Sequence, residues 1–186
     1  MSKPGVLAVF LALLTAGASA QEFITADGKL SDKDFYRLVS CAAEPGGKCQ
    51  KPQVRWRAKD AKDLTLGVHL VEQGYPNRLQ VQSEEGLDRA IDKLNAAEAN
   101  LHIRRAEGAR IKGTGVEFAD GTIIGASSFT VLWRGDRTLS DCYISVSNNA
   151  RFGDIYSIML EELTQCMGLG TDIGGSYYES KSIFSE

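Results

Sequence analysis

Apolar and polar positions along the chain change period several times, and each change marks an element. The first is an apolar run from Val6 to Leu14, with Lys3 before it and Ala18-Ser19-Ala20 after it. This is the layout of a secretory signal with an A-x-A cleavage site, and the run is short for a bilayer span. No cysteine follows it to accept a lipid. Residues 1–20 are therefore expected to be removed, so that the mature chain starts at Gln21. Over residues 30–43, Phe35, Leu38, Val39 and Ala42 fall on one helical stripe, and Ser31 with Asp34 makes a carboxylate variant of the capping box. Pro45, Gly46 and Gly47 then predict a loop. Residues 53–58, Gln-Val-Arg-Trp-Arg-Ala, alternate apolar and basic positions and predict a strand, as does the apolar run 64–71. Residues 73–77 predict a turn. The clearest helical pattern covers 83–101, with Ser83 as its cap, Glu84 and Glu85 at its positive end, and Leu87, Ala90, Ile91, Leu94 and Ala97 along one face. Residues 102–108 and 115–121 predict extended segments. Residues 127–147 predict two strands around a turn at Arg134-Gly135-Asp136-Arg137. A last helix is expected over 152–168, then a Gly-rich tail. Helices and strands in this order predict an α+β fold with a mixed sheet, formed by residues 21–186 as a single domain.

Charge adds little at the level of the whole chain. The net charge of -3 becomes about -4 once Lys3 is removed, which gives no reason to expect nucleic acid or an anionic membrane as partner. The four cysteines change the picture more. Cys41, Cys49, Cys142 and Cys166 all lie in the mature part, and an even number in an exported chain predicts disulfides rather than free buried thiols. Three pairings are open. Cys41–Cys49, across the turn-like Ala-Ala-Glu-Pro-Gly-Gly-Lys, and Cys142–Cys166 are the favoured ones. The spacing does not suit a structural zinc site. Gly113-Thr114-Gly115 is too short a signal for a phosphate loop, and Arg134-Gly135-Asp136 reads first as a turn rather than a receptor-binding triplet.

The last helix carries the candidate chemistry. Ile155, Met159, Cys166 and Leu169 share one apolar stripe, and Leu160, Leu163 and Met167 share another, so most of the circumference is expected to be buried. Ser157, Glu161, Thr164, Gln165 and Gly168 gather on the remaining strip, with Glu162 beside it. Glu161 and Gln165 are four apart and point to one side. A buried carboxylate there needs water, a hydrogen-bond partner, a cation or a proton. The strip therefore lines a cleft or faces solvent.

The stretch 159–175, Met-Leu-Glu-Glu-Leu-Thr-Gln-Cys-Met-Gly-Leu-Gly-Thr-Asp-Ile-Gly-Gly, resembles the catalytic helix of metzincin-type zinc proteases. Glu162 matches their general base, Gly168 their turning glycine, and Ser182-Ile183-Phe184 their Met-turn with Phe in place of Met. Glu161 and Gln165 stand where the two helical histidines belong. Thr171 falls on the third-ligand position, with Asp172 one residue later. The stretch is similar also to an uncharacterised bacterial family of exported proteins, a domain of unknown function. Its pattern is matched by Glu161-Glu162-Leu163-Thr164-Gln165, Met167-Gly168-Leu169, Asp172 and Ser182-Ile183-Phe184. The resemblance covers about 25 residues and implies a zincin-like scaffold. Both patterns continue into a further helix beyond Phe184, so the resemblance implies a missing C-terminal helix.

Zinc is not expected here. The chain has two histidines, His69 and His102, neither in ligand spacing with the helix, and Glu161, Gln165 and Asp172 are oxygen donors that suit calcium, magnesium or manganese better. Adjacent Glu161 and Glu162 diverge by about 100° and do not naturally flank one bond. No G-x-S-x-G motif is present. Three readings follow. In the first, the chain is an exported binding or envelope-associated module without metal or other cofactor. Its former cleft holds a peptide or protein, and Glu162 and Gln165 hold the loop after Gly168 by hydrogen bonds. The second is a divergent metal-dependent hydrolase with Glu162 as general base and Glu161, Gln165 and Asp172 holding a metal or a water. The third is a small disulfide-stabilised exported domain, periplasmic or secreted like the first, whose acidic helix is structural.

Overall fold

The computed structural model describes residues 23–66, 77–97, 101–105, 127–146 and 150–184. The signal-like segment, His69 and the predicted strand at 115–121 lie outside them. Among the described residues the fold is α+β, built from three helices and small sheets. Strand β1 (Phe23–Thr25) leads to helix α1 (Asp32–Cys41). A 3-10 turn, Ala61–Asp63, opens β2 (Leu64–Leu66), followed by α2 (Asn77–Asn95) and β3 (Ile103–Arg105). Then come the hairpin strands β4 (Ser127–Trp133) and β5 (Leu139–Val146), helix α3 (Ile155–Gln165) and β6 (Asp172–Gly174).

Among the described residues the expected single mixed sheet is replaced by three two-stranded ones. β1 pairs parallel with β6, β2 parallel with β3, and β4 antiparallel with β5. The alternating segment 53–58 is not a strand. It touches the hairpin through one bridge, Arg55 with Thr138. Its alternation instead separates a half-buried Val54 and Trp56 from exposed Arg55 and Arg57.

Local signals act where they were expected in α1. Ser31 Oγ accepts from the Asp34 amide at 3.1 Å, and Ala42 closes the helix in the left-handed region at φ 54°. Leu38, Val39 and Ala42 are buried. Helix α2 differs from expectation at both ends. It begins at Asn77, directly after Pro76, and ends at Asn95. Ser83 is not its cap but a fully buried residue in its second turn. Of the predicted face, Leu87, Ala90 and Ile91 are buried and Leu94 packs on them, while Ala97 lies past the helix end and is exposed. Glu84 and Asp88 meet Arg105 of β3 at 3.4 and 2.8 Å.

Helices α2 and α3 cross closely. Gly86 allows it, since a Cβ there would stand 2.8 Å from Ile155 Cγ2. Around this crossing lies the first core, with Ile103, Val146, Ile155, Ile158, Met159, Leu160 and Leu163. The second core joins β1, α1, β6 and the C-terminal turns through Ile24, Leu38, Val39, Ile173, Tyr178 and Phe184. Ile183 packs against both.

Candidate functional site

Helix α3 is buried on most sides, including the C-terminal part of the polar strip expected to face a cleft or solvent. Glu162, Thr164 and Gln165 are all buried, while Glu161 is half-buried and Ser157 exposed. Burial of a polar side chain is costly without a hydrogen bond, and the bonds of Thr164 and Gln165 are plain. Thr164 donates its hydroxyl back to the Leu160 carbonyl at 2.6 Å, the usual way for a helical threonine to satisfy itself. Gln165 Nε2 donates to Asp172 Oδ1 at 2.9 Å. The amide must present its NH2 to the carboxylate here, because an oxygen facing an oxygen would repel.

The end of the helix is held from four directions. Cys166 is bonded to Cys142 of β5, and its carbonyl accepts from Trp56 Nε1 at 2.9 Å. Gly168 adopts φ +96°, and a Cβ on it would lie 2.2 Å from the Val54 carbonyl oxygen, so the position needs glycine twice over. Met167, just before it, packs against the first core, and Leu169, just after it, packs against the second. The chain therefore changes cores at Gly168. Thr171 is buried, and its amide donates to the Val39 carbonyl at 3.1 Å, which docks the returning loop on α1. β6 then pairs Asp172 with Phe23, Ile173 with Ile24 and Gly174 with Thr25.

The tail residues lie beneath this return. The Ile173 amide donates to the Phe184 carbonyl at 2.8 Å, and the Phe184 amide donates to Ser182 Oγ at 3.1 Å. Phe184 is buried and Ile183 half-buried between the cores. The structure thus brings Gln165, Gly168, Asp172, Ile183 and Phe184 into one packed junction. Glu161 and Glu162 sit on the preceding turn of the same helix.

The residues of the junction do not suit zinc. Among the described residues no three His, Cys, Asp or Glu gather as a group able to hold a metal ion. His102 is exposed just before β3, where its backbone bonds to Ala61 and Leu64. Gln165 turns its amide nitrogen, not its oxygen, towards Asp172.

Both favoured disulfides are formed, Cys41–Cys49 and Cys142–Cys166, across sequence separations of 8 and 24. Trp56 was not expected at the junction. Its only sequence trace was an apolar phase in an alternating segment, and its partner lies 110 residues away. Tyr178, whose hydroxyl accepts from the Leu30 amide at 2.8 Å, likewise had no local signal. Compared with protein-family models, curated proteins and solved structures, the chain matches none.

Proposed function

We propose that the chain is an exported, zincin-like binding module, periplasmic or secreted, in which the catalytic helix has become a structural junction. The observation that carries this reading is the Gln165–Asp172 hydrogen bond. In a zinc protease the second helical position and the returning loop both supply metal ligands. Here Gln165, at the second helical position, donates to Asp172, one residue past the third-ligand position, as a neutral donor to a charged acceptor, while Thr171, on that position, is buried with its amide on the Val39 carbonyl. The rest of the framework supports the same ancestry: a buried helix, a glycine stop at Gly168, a return through Asp172, and a Ser182-Ile183-Phe184 turn packed under that return.

Two disulfides favour an oxidising compartment, which agrees with the signal-like first 20 residues. Among the described residues no helix is long and apolar enough to cross a membrane. The hydrolase reading, with Glu162 as general base, has less support, because that side chain is only 5% exposed and a base must reach water or substrate. In the binding reading, a peptide or protein meets α3 along the part of its strip that reaches the surface, at exposed Ser157 and half-buried Glu161.

The test is incubation of the purified full-length chain with a mixed peptide library, alone and with zinc, manganese or calcium. Intact peptides, with a subset retained on immobilised protein, are expected. Metal-dependent cleavage that Glu162→Gln abolishes, while the variant keeps its melting temperature, would overturn the reading.

A further inference from the structure

A second surface, independent of α3, lies at the tip of the β4–β5 hairpin. Backbone bonds join it to the segment that precedes the 3-10 turn: the Arg55 amide donates to the Arg137 carbonyl at 3.2 Å, and the Leu139 amide donates to the Arg55 carbonyl at 2.9 Å. This pairing collects Arg55, Arg57, Lys59, Arg134 and Arg137 in one region, all five exposed. Two carboxylates lie among them, Asp60 and Asp136. Asp60 bonds to Arg57 at 2.8 Å. Asp136 accepts from the amide and hydroxyl of Thr138. Both carboxyls are held below the ordinary value, Asp60 chiefly by the Arg57 hydrogen bond and Asp136 chiefly by the Thr138 hydroxyl. Arg57 and Arg134 act on both through space. The cations therefore exceed the local acids in a chain that is acidic as a whole.

The same tip exposes large apolar side chains. Leu132 is 46% exposed and Trp133 49%. They begin a run of six consecutive exposed residues, 132–137, so the turn projects from the fold. Asp141, in register with Leu132, is the acid facing this part of the hairpin. A projecting tip that combines tryptophan, leucine and surrounding basic side chains has the chemistry of a peripheral lipid contact. Its apolar groups enter the headgroup boundary, and its cations meet anionic headgroups. A nucleic-acid platform would instead offer several aromatic faces for stacking.

We propose that the hairpin tip is a docking surface for an anionic lipid bilayer, with Leu132 and Trp133 inserted at the interface and the five cations against lipid phosphates. The charge of the whole chain conceals this surface, because the acids that balance it lie elsewhere.

The exported chain, starting at Gln21 so that the apolar run Val6–Leu14 is absent, would be mixed with vesicles of phosphatidylcholine, with or without phosphatidylglycerol, and co-sedimented. Binding to the phosphatidylglycerol vesicles alone is expected, with a blue shift of tryptophan emission that Trp133→Phe removes. Neutralising two exposed cations together, Lys59→Gln with Arg134→Gln, is expected to lower partitioning at least about tenfold. Raising the salt concentration on the unaltered chain is expected to weaken it too. Equal binding to neutral vesicles, no binding, or an emission unchanged on binding would each overturn the proposal. So would binding to polyglutamate or single-stranded DNA with none to vesicles, which would make the patch a site for a soluble polyanion.

Discussion

At the scale of single residues, Gly168 is the position where backbone and packing demands coincide. Its φ of +96° lies in the region L side chains rarely adopt, and the space for a Cβ is taken by the Val54 carbonyl. Replacing it with alanine imposes left-handed strain and forces Val54 away, which in turn disturbs the contact of Trp56 with Cys166. Gly168→Ala is therefore expected to cost about 3 kcal/mol or more. Gly28→Ala, where nothing lies within 4 Å of the added Cβ, should stay within about 0.5 kcal/mol. Urea denaturation of both variants checks the contrast, and comparable losses would mean that the helix end tolerates rearrangement. Gly168 could be recognised in the sequence as a helix stop. The burial of Gln165 could not, because it depends on where the glycine turns the chain. Four residues of spacing place Gln165 beside Glu161, but only the return through Asp172 supplies a partner that makes burial affordable.

At the scale of elements, legibility followed the range of the interaction. The Ser31 cap, the hairpin about Arg134–Arg137 and the apolar stripes of α1 and α3 depend on residues a few positions apart, and each is present. The start of α2 was misplaced because Ser83-Glu84-Glu85 imitates a cap. Helix-compatible residues extend upstream to Pro76, and tertiary packing buries Ser83 instead. The parallel β1–β6 pair had no readable signal, since three-residue strands joined across nearly the whole chain carry no local period. The disulfides were legible as pairs but not in their consequences. Cys41–Cys49 closes only the loop after α1, whereas Cys142–Cys166 ties β5 to the end of α3. The entropy of loop closure makes them worth about 2.6 and 3.5 kcal/mol. The Cys142→Ala/Cys166→Ala pair should thus lower the denaturation midpoint more than Cys41→Ala/Cys49→Ala. The reverse order would show that the junction at α3 is held by its packing and hydrogen bonds and not by the sulfur link.

At the scale of the whole molecule, two cores have to behave as one. The first is organised by the α2–α3 crossing, and the second by the strands and turns from opposite ends of the described chain. Among the described residues two links join them, the passage through Gly168 and Ile183 packed against both, and the Thr171 amide on the Val39 carbonyl anchors the passage on the side of the second core. Phe184 is well placed to test the coupling. Its ring lies in the second core, 6.3 Å from that of Phe35, while its carbonyl receives the Ile173 amide and its neighbour Ile183 reaches the first core. Phe184→Ala removes a buried aromatic and is expected to cost about 3–5 kcal/mol. If the links hold the cores together, the loss must appear everywhere. In a Trp133→Phe background, the fluorescence of Trp56 reports the end of α3, and far-ultraviolet circular dichroism reports the helices, α1, α2 and α3 among them. Both midpoints should fall by the same amount, with a single transition. A lowered dichroism midpoint with an unmoved Trp56 signal would instead mean that the first core survives alone. The Ser182-Ile183-Phe184 turn would then close only the β1–β6 unit and would not support the helix that carries Glu161, Glu162 and Gln165.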